Sequence, residues 1–141
     1  MLTRIFKLVL IFSFLFLVPL ACEDLDALFV NCDDCYNEKP DNATLSIKFT
    51  INKENPYVVY TLYSGCIDCD SIIAVDVSDK SVIKWNLETN RNYSVVAEYY
   101  SKGSVVYAVD GTQLKTKTDK SSCSSTCYLI VGDELDVRLK Y

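Results

Sequence analysis

Alternation of apolar and polar residues dominates the chain from residue 43 onward. In residues 43–51 every second side chain from Leu45 to Ile51 is apolar, and the side chains between them are Ser, Lys and Thr. Residues 93–100 also alternate. A period of two predicts β-strands, with alternate side chains on opposite faces. Further strands are predicted at 57–63, 72–77, 82–87, 105–109, 112–118, 128–131 and 135–139.

Turn signals separate these segments. Lys102-Gly103 and Asp110-Gly111 predict tight hairpin turns, and residues 112–118, rich in Lys and Thr, are expected to form a solvent-facing edge strand. The strands recur at the spacing of about 8–12 residues that is typical of sandwiches, and no segment follows a helical period. The sequence therefore predicts one all-β, antiparallel sandwich of about 7–9 strands in residues 43–141.

A local motif gives this fold class more detail. Leu87 ends a predicted strand, and Tyr93 begins the next strand six positions later. This arrangement resembles the tyrosine corner of fibronectin type III and other immunoglobulin-like domains. The resemblance implies an immunoglobulin-like sandwich in which the Tyr93 hydroxyl bonds to backbone upstream and fixes the crossing between sheets.

The N-terminus has the layout of an export signal. Residues 1–7 carry two positive charges, residues 8–20 are apolar apart from Ser13, and a small residue, Ala21, precedes Cys22. The uncharged stretch 8–22 has 15 residues, whereas a membrane-spanning helix needs about 20. We therefore predict a removable signal peptide at 1–21 rather than a permanent membrane span.

The end of this segment, Leu20-Ala21-Cys22, resembles the lipobox of bacterial lipoproteins, with Pro19 in place of the usual Leu. The resemblance implies cleavage before Cys22, diacylglycerol on its thiol and a further acyl chain, such as palmitate, on its new amino group. Two or three acyl chains give stable membrane anchoring, whereas a single chain binds marginally. This covalent lipid is the only non-protein group that we expect, and no cofactor is predicted.

Acidic residues follow the predicted lipidation site. Glu23, Asp24 and Asp26 resemble the signal for outer-surface display in lipoproteins of the Bacteroidota, and the body, rich in Tyr, Asn and Lys, is similar to small lipoproteins of that group. The resemblance implies an outer-membrane location with exposure at the cell surface. Residues 22–42 are interpreted as an acidic, cysteine-containing tether between lipid and sandwich.

Lipidation of Cys22 leaves an even number of cysteines, as expected for disulfides in an oxidising compartment. These six disulfide candidates form three close pairs in the sequence: Cys32, Cys35, Cys66, Cys69, Cys123 and Cys127. We favour a local Cys66–Cys69 bond beside Gly65 and lean toward local pairing for the other four, although the sequence leaves their pairing open. The alternatives are a Cys₄ zinc site formed by the two CxxC motifs and a thiol-redox pair.

Charge and composition exclude several functions. The chain has no His, which removes the usual general base and the commonest transition-metal ligand. Arg4 and Lys7 are the only charges before Glu23, so removing the leader takes the net charge from −5 to −7. An acidic body without a basic patch argues against nucleic-acid binding. We therefore expect a non-enzymatic protein that contacts another protein or a glycan, with envelope redox or metal-binding chemistry as the alternative.

Two surface features remain as candidate sites. Asp70-Ser71-Ile72 resembles the O-glycosylation site of the Bacteroidota, which makes Ser71 a candidate for glycosylation. Ten tyrosines suggest ligand contact, because aromatic faces stack on sugars, but most lie at strand periodicity and are expected to pack in the core. The tyrosines that we expect outside the core are Tyr57, Tyr60, Tyr63 and Tyr100.

Overall fold

The structure is a computed structural model that describes residues 30–69, 71–120 and 123–140. The predicted signal peptide (1–21), the predicted lipidation site Cys22 and the acidic residues 23–26 lie outside the described residues, as does Asp70. In the described part of the chain, no helix has the length and apolar character needed to cross a membrane.

Two β-sheets form the fold. The described residues form eight strands: β1 (Asn42–Lys48), β2 (Val58–Ser64), β3 (Ile72–Ser78), β4 (Val82–Glu88), β5 (Arg91–Ser101), β6 (Ser104–Asp119), β7 (Cys127–Val131) and β8 (Glu134–Asp136). One sheet has the order β4-β1-β8, and the other has the order β3-β2-β5-β6-β7. Two short 3₁₀ turns, Cys32–Asp34 and Ile67–Cys69, are the only helical segments described. The predicted all-β sandwich is confirmed, and its strand number falls within the expected range.

One strand departs from the expected antiparallel pairing. β8 runs parallel to β1, with Leu135 opposite Ile47, whereas the other strand pairs are antiparallel. The chain turns back after β7, and backbone hydrogen bonds hold it beside β1: Ser46 N–H donates to the Asp133 carbonyl at 2.8 Å, and Val137 N–H donates to the Lys48 carbonyl at 3.1 Å.

The core lies between the two sheets and consists of the inward-facing residues of each strand. The alternation predicted for β1 and β5 is confirmed: Leu45 and Ile47 are fully buried, as are Val95 and Ala97. The Phe49 and Tyr60 rings pack with their centroids 5.2 Å apart. The predicted exposure of Tyr60 is therefore wrong, because its ring lies on the inward face of β2.

β6 corrects two predictions. It continues without a break through Asp110-Gly111, where a hairpin was expected. Gly111 lies opposite Ser94 of β5, and a Cβ at this position would lie 3.3 Å from the Ser94 hydroxyl oxygen. This glycine therefore allows close packing rather than a turn. Residues 112–118 do not form an edge, because β7 pairs beyond them. The Lys102-Gly103 hairpin is confirmed, with φ of 52° and 82° as in a type I′ turn.

The crossing from β4 to β5 has the predicted tyrosine corner. The Tyr93 hydroxyl donates a hydrogen bond to the carbonyl oxygen of Glu88, five residues upstream, at 2.8 Å. Leu87 at the end of β4 packs against the buried core. Because β4 and β5 belong to different sheets, this bond fixes the chain where it passes from one sheet to the other.

Candidate contact surface

The two outward faces of the sandwich differ in polarity. On the three-stranded sheet, the side chains that alternate with the core residues are mostly polar or charged: Thr44, Ser46, Lys48, Lys84, Asn86, Glu134 and Asp136. Lys48 and Glu134 form an ion pair at 2.6 Å across this face. This face has the polar character expected where an antiparallel sheet meets water.

The outward face of the five-stranded sheet is apolar instead. Two neighbouring rows cross it from β3 through β2 and β5 to β6. The first row is Val77, Val59, Glu98 and Tyr107, and the second is Val75, Thr61, Val96 and Val109. We call these eight residues the outer face. β-branched and aromatic residues occupy both the odd and the even positions of these strands, so the sheet has apolar side chains on both sides.

Solvent reaches most of the outer face. Val75, Val77, Val109 and Tyr107 are 63%, 55%, 56% and 65% exposed. Scattered apolar residues are ordinary on a protein surface, but contiguous apolar patches mark contact sites. Across the two rows of the described sheet, Glu98 supplies the single charge. A partner that covers this face would therefore match it with apolar side chains and a cation opposite Glu98.

A cavity of about 400 Å³ adjoins one end of the outer face. It lies between the loop before β2 and the end of β5, and Tyr57 and Tyr100 contribute exposed aromatic rings to it. The other lining residues are Lys53, Glu54, Asn55, Pro56, Val59, Glu98, Tyr99 and Val105. Exposed tyrosines and the two carboxylates, Glu54 and Glu98, around a concavity suit stacking and hydrogen bonding to a small polar ligand.

Asn55 holds this cavity in shape. Its side-chain amide donates to the Tyr100 carbonyl at 3.0 Å, and its side-chain oxygen accepts from the Tyr100 N–H at 2.7 Å. The Asn52 side chain accepts hydrogen bonds from the N–H groups of Glu54 and Asn55, which folds the loop into a tight turn. The buried Asn55 thus binds β5 as a neighbouring strand would, and it fixes the loop that carries Tyr57.

The remaining tyrosine predictions have mixed outcomes. Tyr57 and Tyr100 are exposed as expected, and Tyr63 is half-buried. Burial raises the pKa of Tyr60 and of Tyr93 above the ordinary value of 10.0. Sequence reasoning missed Tyr107. The signal that could have found it is the segment 105–109, in which both alternating sets of residues are apolar.

The disulfides correct the expected cysteine pairing. Cys66 and Cys69 bond to each other, as favoured from the sequence. The local pairing expected for the other four cysteines is wrong, because Cys32 bonds to Cys123 and Cys35 bonds to Cys127. Strand packing is the cause: Tyr36 forms an antiparallel bridge with Tyr128 of β7, which brings residues 32–35 beside the start of that strand.

This arrangement bears on two other predictions. The N-terminal segment from Asn31 belongs to the same compact unit as the sandwich, although it was assigned to the tether. The two CxxC motifs take different partners, so they do not combine into the Cys₄ set considered from the sequence. Sulfur atoms of Cys35, Cys123 and Cys127 do lie within 4.8 Å of one another, but all three belong to disulfides.

The candidate glycosylation residue Ser71 is exposed, directly before β3. Its backbone carbonyl accepts a hydrogen bond from Ser64 N–H at 2.8 Å. Glycosylation at this residue stays a prediction.

Comparison of the chain with protein-family models, with curated protein sequences and with solved structures gives no match in any of the three.

Proposed function

We propose that this protein is a non-enzymatic, lipid-anchored lipoprotein of the bacterial outer membrane that binds a partner protein through the outer face. The observation that carries the contact part of this proposal is the contrast between the two sheets. One sheet presents polar and charged residues to water, and the other presents contiguous valine and tyrosine side chains around a single carboxylate. Covering such a face removes apolar area from water, which is the main driving force of protein association.

A protein suits the outer face better than a sugar does. Its exposed side chains are mainly valines on a sheet, and aliphatic side chains offer sugars neither stacking planes nor hydrogen bonds. Glu98 supplies charge selectivity, because a partner that leaves this carboxylate buried and unpaired pays a desolvation cost. A partner with a Lys or Arg opposite Glu98 avoids that cost.

Glycan contact is the second candidate function, and the cavity between Tyr57 and Tyr100 favours it. The aromatic rings would stack on a sugar, and Glu98 would accept hydrogen bonds from its hydroxyl groups. Two kinds of substitution distinguish the candidates. Tyr57→Ala and Tyr100→Ala remove the aromatic rings of the cavity and should weaken glycan binding, whereas Val109→Lys changes only the outer face and should weaken protein binding.

The anchor part of the proposal rests on the sequence Leu20-Ala21-Cys22 and on the acidic residues that follow it. Acyl chains on Cys22 would hold the protein at the membrane, and the acidic stretch would direct it to the outer surface. The six remaining cysteines are all joined in disulfides, which supports a structural role for them and an oxidising location. The competing proposal is an envelope redox or metal-binding protein that uses these cysteines.

Two sets of variants in the producing cells test the anchor. Cys22→Ala should abolish incorporation of a labelled fatty acid and leave the leader attached. Combined replacement of Glu23, Asp24 and Asp26 by Ala should keep the label but reduce digestion by protease added to whole cells. An unlipidated wild-type protein would contradict the anchor, and unchanged digestion would contradict the acidic surface signal.

Chemical cross-linking in intact cells tests the contact. Val109→Lys should reduce the yield of one cross-linked complex several-fold, because it places a charge in the apolar interface. Asn86→Lys is the matched control: it adds the same charge to the outward face of the other sheet and should leave the yield unchanged. Equal yields from wild type and Val109→Lys would contradict the proposed surface.

A further inference from the structure

The cavity between Tyr57 and Tyr100, which we call the tyrosine cavity, is continuous with the outer face. Val59 and Glu98 pair across β2 and β5 in the outer face, and both also line the cavity. Tyr100 follows Glu98 by two residues on β5, so it lies on the same side of the sheet. A partner that covers the outer face therefore also reaches the tyrosine cavity.

Carboxylates outnumber cations around the tyrosine cavity. Glu54 and Glu98 line it, together with one cation, Lys53. Glu54 Oε1 accepts a hydrogen bond from Lys102 N–H at 3.2 Å, which involves the backbone of Lys102 and not its ammonium group. Both glutamates are exposed, and within the described part of the chain neither forms an ion pair. Both carboxylates can therefore pair with a cation that another molecule supplies.

The aromatic rings favour one kind of cation. Tyr57 and Tyr100 are 61% and 51% exposed, so a ligand can reach both rings. The face of an aromatic ring attracts cations, and a guanidinium group can stack on that face while its N–H groups donate to a carboxylate. An ammonium group has no plane to stack and is more strongly hydrated. Rings next to carboxylates therefore suit arginine better than lysine.

The backbone around the tyrosine cavity is fixed before a ligand binds. Asn55 is only 4% exposed, and its side chain forms two hydrogen bonds with the backbone of Tyr100. Pro56 restricts the backbone between Asn55 and Tyr57. A site that is formed in advance loses less conformational entropy on binding. The positions of both tyrosines are thus set by buried backbone contacts that leave the rings exposed.

We propose that the tyrosine cavity binds an arginine side chain of the partner protein, with the guanidinium stacked on the tyrosine rings and donating hydrogen bonds to Glu98. This inference rests on the proposed function, because it names the residue with which the partner engages one end of the outer face. The cavity volume of about 400 Å³ is near the lower end for ligand sites and suits a single side chain. Tyrosine and arginine are also enriched among the residues that dominate binding energy at interfaces.

A neutral sugar suits the tyrosine cavity less well when a partner covers the adjoining outer face. Covering removes water from Glu98, and burial of a carboxylate without a cation is costly. The hydroxyl groups of a sugar form hydrogen bonds with a carboxylate but bring no positive charge. An arginine supplies both the hydrogen bonds and the charge.

Titration of the full chain in non-ionic detergent with Nα-acetyl-arginine amide, followed by NMR, tests the site. The backbone amide signals of Tyr57, Glu98 and Tyr100 should shift until they saturate. Nα-acetyl-citrulline amide has nearly the same shape without the charge, and it should cause little shift. Glu98→Gln and Tyr100→Leu should each raise the dissociation constant of the arginine probe by about threefold or more.

Two matched variants control for loss of a hydroxyl group and for loss of charge elsewhere. Tyr100→Phe keeps the ring face and should bind the arginine probe within about twofold of the wild type. Glu134→Gln removes a negative charge from the outward face of the other sheet and should leave the dissociation constant unchanged. Equal shifts with the arginine and citrulline probes, or equal losses from Glu98→Gln and Glu134→Gln, would overturn the proposal. Methyl glucoside that shifts the cavity amides when the arginine probe does not would also overturn it and would favour glycan binding.

The titration does not depend on the cross-linking in cells that tests the proposed function. A cross-linked complex that Val109→Lys weakens, together with an arginine probe that fails to bind, would overturn the arginine site alone and support the contact through the outer face. Saturable binding of the probe without any cross-linked complex would contradict that contact, and with it the partner as the source of the arginine. The two failures are therefore distinguishable.

Discussion

The hydroxyl of Tyr99 donates a hydrogen bond to the carbonyl oxygen of Val137 at 2.8 Å, in a fully buried position. The same hydroxyl accepts a hydrogen bond from Thr50 N–H at 3.1 Å. One side chain of the five-stranded sheet therefore holds the chain after β1 and the chain after β8. Tyr99 therefore fixes the C-terminal segment, which pairs with β1 through the parallel strand β8 and closes the sandwich.

Tyr99→Phe should lower the free energy of unfolding by about 1–3 kcal/mol, because it leaves the buried Val137 carbonyl and the half-buried Thr50 N–H without their hydroxyl partner. The adjacent Tyr100→Phe is the matched control. Its side chain is about half exposed, and we expect a change within about 0.5 kcal/mol. Chemical denaturation of both variants measures this difference, and equal stabilities would contradict the role assigned to Tyr99.

Alkaline pH should destabilise the fold through its buried tyrosines. Burial raises the pKa of Tyr60 and Tyr93 above the ordinary value of 10.0, and the nearby Asp76 carboxylate raises that of Tyr60 further. The unfolded chain then loses these protons at lower pH than the folded chain. The stabilisation is complete below pH 10 and is lost as the pH rises through the raised pKa values.

Unfolding free energy measured against pH tests this expectation. Above pH 10, Tyr60→Phe and Tyr93→Phe should each show a shallower decline than the wild type. Tyr107→Phe is the control that makes the same substitution at an exposed position. A wild-type free energy that stays constant above pH 10 would be inconsistent with these raised pKa values.

The two long-range disulfides should stabilise the protein non-additively. Their sequence separations are 91 and 92 residues, and they lie side by side. Either bond alone closes nearly the same loop, which the chain-entropy model values at roughly 4–5 kcal/mol. Removing one pair, as in Cys32→Ser with Cys123→Ser, should therefore cost far less than removing both pairs.

Thermal and chemical unfolding of the single-pair and double-pair variants provides the measurement. Cys66→Ser with Cys69→Ser is the control, because that disulfide spans only three positions and constrains the unfolded chain little. The stability lost on removing each long-range pair alone can be added and compared with the loss on removing both. If the two single losses sum to the double loss, the shared-loop explanation is contradicted.

The alternation and spacing of residues along the chain predict the features that depend on positions close together in the sequence. The inward faces of β1 and β5 follow from alternation, and the tyrosine corner follows from the spacing between Leu87 and Tyr93. Gly111 was misread as a turn because its purpose depends on Ser94 of the neighbouring strand, which no local pattern shows.

Long-range pairing explains the other failures. The disulfide partners depend on the bridge between Tyr36 and Tyr128, and sequence spacing does not contain that contact. The outer face likewise required the strand register, because only the register brings Val75, Val59 and Tyr107 into neighbouring rows. Strands with apolar residues at both odd and even positions also occur in sheets that are buried on both faces, so the sequence alone does not show that one face is exposed.

Site-specific photo-cross-linking in living cells tests the central claim, contact with a protein through the outer face, most directly. A photoreactive phenylalanine replaces Tyr107 in one strain and Asn86, on the outward face of the other sheet, in a second strain. The account predicts a discrete protein adduct from position 107 that weakens when Glu98→Lys is added, and no such adduct from position 86. The same adducts from both positions, or none from position 107, would contradict it.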